Sequence, residues 1–122
     1  MITFDTGALI ALERKKRRVV ELFQHVLRHG QDVTVPTAVV TEWWRSRTDL
    51  RENILESVVV EPLSLGVAKT ASEALAAVKG ATAVDAIVMA SAALRGDVVL
   101  TSDVHDLEKL RSFFPAVRLL AV

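Results

Sequence analysis

The chain has 122 residues, no cysteine, and 15 Lys and Arg against 15 Asp and Glu, for a formal net charge of zero. That length suits one domain whose core needs no staples. The lack of cysteine excludes disulfides and thiolate-bound zinc, in keeping with a reducing cytosol.

The start, MITFD, carries an acid and lacks a basic segment followed by an apolar one, so no signal peptide is visible. The most apolar stretch, residues 81–94, is too short to span a bilayer and contains Asp85. The reading is a soluble, cytoplasmic protein without a membrane span.

In chain order, short β-type runs alternate with longer helical ones. Ile2, Thr3 and Phe4 predict a first strand, stopped at Asp5-Thr6-Gly7, with a short helix over residues 8–13. Apolar residues at Val19, Val20, Leu22, Phe23, Val26 and Leu27 predict a helix over 18–29, ended by Gly30. Val33 to Val35 predicts a second strand cut by Pro36, and Thr37 then caps a helix over 38–45. A helix over 49–57 precedes a third strand over 58–60, closed by Pro62. Ser64 caps a helix to Lys79, with Gly80 as its stop, and residues 82–95 form another, stopped by Gly96. A strand at 98–100, a last helix over 107–114 and a final strand over 117–120 complete the pattern. Strands separated by helices predict an α/β fold, a mainly parallel sheet of four to five strands flanked by helices. Ligands of such sheets gather outside the carboxyl ends of the strands, where the strand order reverses.

Four acids stand where that rule directs attention. Asp5 ends the first strand and Asp103 follows the strand at 98–100. Asp85 lies in the first turn of a helix that is apolar nearly all round, and therefore reads as buried. Glu42 lies one turn into the helix after the second strand. Each also has an ordinary explanation. Asp5 can cap the helix at Ala8, Thr82 to Asp85 matches a capping box, Asp103 can cap the last helix with Asp106 in its first turn, and Glu42 can be a solvated helix residue. Together they approach one sheet edge with no comparably placed base. Carboxylates crowded in this way are usually relieved by a hard divalent cation. Such a cation can activate water against a phosphodiester without a nucleophilic Ser, Cys or His.

Gathering four acids in one pocket leaves fifteen Lys and Arg against eleven acids elsewhere. The densest positive run is Arg14, Lys15, Lys16, Arg17 and Arg18, either a solvated helix end or a surface that steers phosphates. His25 and His29 share a helix face, but no third zinc ligand is near in sequence, and His105 reads as a loop histidine. Trp43 and Trp44 diverge by about 100° around a helix, so one enters the core and the other is left for an interface. Residues 117–122 read as an edge strand or dimer surface.

At these residues the chain resembles a PIN domain, in particular a VapC-type toxin. The matching pieces are Phe4 to Ile10, Thr37 to Glu42, Asp85 to Ala90, and Thr101-Ser102-Asp103, in order over essentially the whole chain. The resemblance implies a three-layer α/β/α domain spanning residues 1–122. It implies an endoribonuclease with a Mg2+ or Mn2+ site. Asp5, Glu42, Asp85 and Asp103 then occupy the four acidic positions, with Asp5, Asp85 and Asp103 as metal ligands. Thr6 and Thr101 occupy supporting hydroxyl positions, Asp106 a peripheral acidic one, and the basic run Arg14 to Arg18 would bind RNA. Gly7 replaces the more usual Ser or Ala, a mild departure with no obvious cost. The family also implies a homodimer and a small VapB-like antitoxin that blocks the site.

Other classes fit less well. An aspartyl-nucleophile phosphatase normally carries a second Asp two residues after the first, where Gly7 stands. A receiver module needs a lysine on its last strand, which here carries Arg118. A PIN fold used for binding, and a PIN nuclease outside toxin–antitoxin pairs, stay open.

Overall fold

A computed structural model describes every residue, Met1–Val122. At its centre is Ile2–Phe4, β1, all three residues of which are buried. Burial on both faces is what a parallel sheet between helix layers requires of its central strands. The other strands are β2 (Val33–Pro36), β3 (Val59–Glu61), β4 (Val98–Thr101) and β5 (Arg118–Ala121). They lie in the order β3-β2-β1-β4-β5, and every pairing is parallel. The flanking helices are α1 (Thr6–Glu13), α2 (Arg17–Arg28), α3 (Thr37–Trp43), α4 (Asp49–Ser57), α5 (Leu65–Ala77), α6 (Ala83–Arg95) and α7 (Val104–Glu108), the last running into a 3-10 turn, Lys109–Ser112. The α/β/α architecture is thus the one expected. No helix is long and apolar enough to cross a membrane.

The core is built from residues the pattern marked. Phe4, Leu9, Val35, Met89, Leu100, Leu107 and Leu110 are fully or almost fully covered. Gly96 ends α6 in the left-handed conformation, at φ 72°, which relieves a side chain of the strain it would meet there.

Three details depart from expectation. Thr37 is not a cap: α3 starts at Thr37 itself, directly after Pro36, with no side-chain cap bond. Pro36 still belongs to β2, because it lies past the last β1–β2 pair and its missing amide is not needed there. α7 begins three residues before the apolar residues that predicted it, because the Asp103 carboxylate accepts the Asp106 amide and fixes the start. α6 is buried on one side only: Leu94 is 73% exposed, and Asp85 is half-buried rather than sunk in the core.

The strand order places the site. From β1 the chain moves one way to β2 and β3, then returns across β1 to build β4 and β5. The segments leaving β1 and β4 therefore diverge, and they open a crevice at the carboxyl edge of the sheet. Asp5 and Asp103 flank it.

Candidate active site

Asp5 stands at the junction of β1 and α1. Its Oδ1 accepts the Ala8 amide at 2.8 Å, so it caps α1 as well as ending β1. It is only 6% exposed. Burial pushes its carboxyl up to about 6, and the charges of Asp85 and Asp103 add to the rise; the Thr101 hydroxyl and the Ala8 amide oppose it. Asp85 sits in the first turn of α6, whose cap is the Thr82 hydroxyl accepting the Asp85 amide at 3.2 Å. Its carboxyl is also raised, first by burial and then by Asp106, Glu42 and Asp103, against the Thr82 hydroxyl. Asp103 caps α7, and its own amide donates to the buried Thr101 hydroxyl at 2.8 Å. Glu42 projects from α3 toward α1, where the Thr6 hydroxyl donates to Oε1 at 2.6 Å.

The ordinary readings of three of these acids are therefore real: Asp5 and Asp103 are caps, and Asp85 follows a capping threonine. Capping leaves carboxylate oxygens free, and it fixes where they stand. The charges of Asp85 and Asp103 act on Asp5, and those of Asp106, Glu42 and Asp103 act on Asp85, so these acids lie along one edge of the fold. None of Asp5, Glu42, Asp85 and Asp103 is in an ion pair, whereas Asp106 is held by Lys109 at 3.4 Å and stands lowered by its hydrogen bonds to Asp103 and Lys109. Asp106 differs in having a cation beside it, but its charge raises Asp85 more than Glu42 or Asp103 does, so it lies at the same edge.

The acids are gathered but not converged: no three acidic or imidazole groups stand close enough to hold one ion among them. Like charges without a neutralising partner keep apart. The donors are all oxygen and hard, which suits Mg2+ or Mn2+ and excludes a thiolate site. Mg2+ in particular needs only one or two direct carboxylates, with water and substrate completing its shell.

Gly7 has a role that its sequence position does not disclose. A β-carbon built on Gly7 would collide with Ser102 Oγ and lie 2.9 Å from Ser102 Cβ and 3.3 Å from its backbone nitrogen. The glycine is therefore required, and what looked like a free departure is one half of a tight contact between α1 and the loop holding Asp103. Turning the hydroxyl aside relieves only part of it. Gly7→Ala is expected to cost about 1–3 kcal/mol by overpacking. Adding Ser102→Gly should recover most of that in urea unfolding; a neutral Gly7→Ala would show the contact to be loose.

The basic run is divided by the turn between α1 and α2. Arg14 lines a polar cleft that contains Thr6 and Glu42. Lys15 and Arg17 line an apolar groove, and Arg18 a hollow beside β5. Arg17 also pairs with Glu21 at 2.9 Å. Only Arg14 of the five shares a cavity with an acid of the site. Arg45, which sequence reasoning missed, lines the same cleft as Arg14. His25 and His29 are exposed on α2 with ring centroids 4.2 Å apart, and His105, expected in a loop, is exposed on α7, two residues from Asp103. Trp43 is the core tryptophan, 3% exposed, and Trp44 is half-buried.

Known structures share this fold. One chain of the VapBC2 complex from Rickettsia felis, solved bound to a DNA fragment from its promoter, superposes with a TM-score of 0.82 at 10% identity, covering 100% of this chain and 99% of that one. A chain of DNA-bound VapBC from Salmonella typhimurium gives 0.77 at 17% identity, with 98% and 96% covered. A chain of FitAcB from Neisseria gonorrhoeae gives 0.68 at 18% identity, again with 98% and 96% covered. At these identities the likeness establishes the fold. No curated protein matches the sequence significantly. The PIN domain family model matches residues 2–111, which takes in the strand-end acids and the elements that carry them. Sequence and fold agree, and the chain belongs to the PIN-domain family.

Proposed function

We propose that this chain is a divalent-metal-dependent endoribonuclease acting in the cytoplasm as the toxin of a VapBC-like pair. One observation carries the reading: four acids without ion-pair partners gather at the switch point of a parallel sheet in a PIN domain, where burial first, and then the charges of Asp85 and Asp103, raise the Asp5 carboxyl to about 6. Asp5, Asp85 and Asp103 would hold the cation. When bound, it supplies an activated water and stabilises charge on the phosphodiester. The chain's own residues do the placing. The Ala8 amide fixes the Asp5 carboxylate. The Thr101 hydroxyl holds the backbone of Asp103. The Thr6 hydroxyl orients Glu42 from the α3 side, where its carboxylate can align or deprotonate water.

The partner reading has its own support. An apolar groove of about 550 Å3 runs between α1, α2 and α4, lined by Leu12, Val20, Phe23, Leu50 and Ile54, with Lys15 and the Arg17–Glu21 pair also in its lining. It suits an amphipathic antitoxin segment with acidic flanks. Leu50 also lines the cleft that holds Glu42, so an occupant of the groove reaches toward the site it must block. A homodimer has apolar surface available at Leu94, 73% exposed, and Leu65, 71% exposed.

Induced expression of the chain alone in a bacterial host is the test. Growth should stop within a generation, Asp5→Asn should grow normally at equal protein level, and a co-expressed cognate antitoxin should restore growth. Equal growth with and without the wild-type chain would contradict the toxin reading.

A further inference from the structure

One cavity adjoins the acids and is not explained by them. A cleft of about 740 Å3 lies among α1, α3 and α4, with Thr6 and Glu42 in its wall. That size lies within the range of sites that seat small ligands. Its charged lining is Glu13, Arg14, Glu42, Arg45 and Arg51. Two of these are spent on structure. Arg51 Nε donates to Glu13 Oε2 at 3.0 Å, its Nη1 donates to both the Trp44 and Ser46 carbonyls at 3.1 and 2.8 Å, and Glu13 Oε1 accepts Trp43 Nε1 at 2.9 Å. That closed network ties α4 to the ends of α1 and α3.

Arg14 and Arg45 remain. Both are exposed, and neither is in an ion pair. Arg45 is held at φ 53°, in the left-handed region, with its Nε donating to the Glu42 carbonyl at 3.3 Å. A non-glycine residue there is strained. Glycine would relieve the strain but would bring no cation. Lys15, outside the cleft, is left-handed too, at φ 58°; what distinguishes Arg45 is that its guanidinium folds back onto the backbone of Glu42, a residue of the acid cluster.

We propose that Arg14 and Arg45 form a clamp for the phosphates of single-stranded RNA, gripping the strand beside the bond presented to the acids. This rests on the ribonuclease reading and names how that site holds its substrate. Guanidinium forks match phosphate oxygens and form charge-assisted hydrogen bonds with them. Such contacts set register and affinity without reading bases. They also bring positive charge to an edge that the acids would otherwise close to a polyanion.

The test measures binding of a fluorescein-labelled, random-sequence RNA of about ten nucleotides, a length that spans a single-strand site. The full chain is titrated by anisotropy in EDTA at several NaCl concentrations, and melting temperatures are taken alongside. Arg14→Gln and Arg45→Gln should each weaken binding about tenfold. Each should also lower the slope of log affinity against log salt by about 0.7. Arg45→Gly should weaken binding equally while keeping or raising the melting temperature, which a purely structural arginine would not do. Lys69→Gln, on α5, should change neither. If the parent binds RNA and both glutamine variants bind with its affinity and salt slope, the clamp is overturned and the nuclease reading stands. If the parent neither binds RNA in EDTA nor cleaves it in Mg2+, both are overturned.

Discussion

Asp5→Asn is expected to reduce RNA cleavage to background and, in the metal-free protein at neutral pH, to raise stability. The two effects have one cause. The Asp5 carboxyl is 6% exposed and is pushed from 3.8 up to about 6, chiefly by burial. A carboxyl whose folded value is raised binds its proton more tightly in the folded state. Its contribution is therefore most favourable below about 4, and stability is lost as pH climbs through about 6. The cost at neutral pH is about 2–3 kcal/mol. Asparagine keeps an oxygen for the Ala8 amide and carries no charge, so it recovers part of that cost. Urea unfolding in EDTA from pH 4 to 8 should show the wild-type protein weakening with pH and the variant weakening less, the remaining slope coming from Asp85, which is also raised. Parallel curves would remove Asp5 as a strained group. With metal present the cation competes with the proton for this carboxylate, so the pH at which cleavage is lost should move downward from about 6 as the metal concentration rises.

Arg95→Met is expected to be the most destabilising single change away from the site. Arg95 ends α6 and gathers three elements: it pairs with Asp97 at 3.0 Å, donates to the Thr3 hydroxyl at 2.8 Å, and bonds Glu61, which also accepts the Ser91 hydroxyl at 2.7 Å. The Asp97 side chain is 1% exposed. Its burial would raise its carboxyl, but hydrogen bonds from the Met1 amine, Arg95 and Thr3 outweigh that and leave it below the usual value. A depressed carboxyl stabilises the fold above its unfolded value, and that contribution is lost as pH falls below about 4. Removing the guanidinium leaves a buried charge short of its partner, a loss of about 3–5 kcal/mol. Thermal unfolding should fall by roughly 10–20 °C. A change of only a few degrees would show that Thr3 and the Met1 amine suffice for Asp97. Because Asp85 stands at the other end of the same helix, loosening of Arg95 should also weaken metal binding.

Much of the site was legible because its residues also punctuate the secondary structure. An acid that ends a strand and caps the next helix leaves a double signal, as Asp5 does. Asp103 gave the same signal, and where its cap competed with apolar periodicity over the start of α7, the cap prevailed. Glu42 is different. Its element was legible, but its place depends on α3 meeting Thr6 of α1, a contact 36 residues apart in sequence that local pattern does not indicate. Contacts of that kind explain the rest of what was missed. Gly7 looked like a harmless replacement because nothing in its surroundings along the chain announces Ser102. Arg45 carried no signal at all, since its left-handed backbone and the cleft it lines arise from packing of three helices. The basic run is continuous in sequence, and only the fold shows that Arg14 faces the polar cleft while Lys15, Arg17 and Arg18 line other hollows.

The central claim is that the acids at the switch point hold a divalent cation and cut RNA. The most direct measurement is cleavage of total bacterial RNA by the purified chain in Mg2+, in Mn2+ and in EDTA, beside Asp5→Asn, Asp85→Asn and Asp103→Asn prepared identically. Discrete fragments that need metal, and that all three variants fail to produce, are the predicted result. Fragments that persist in EDTA, or in folded variants lacking these carboxylates, would contradict it.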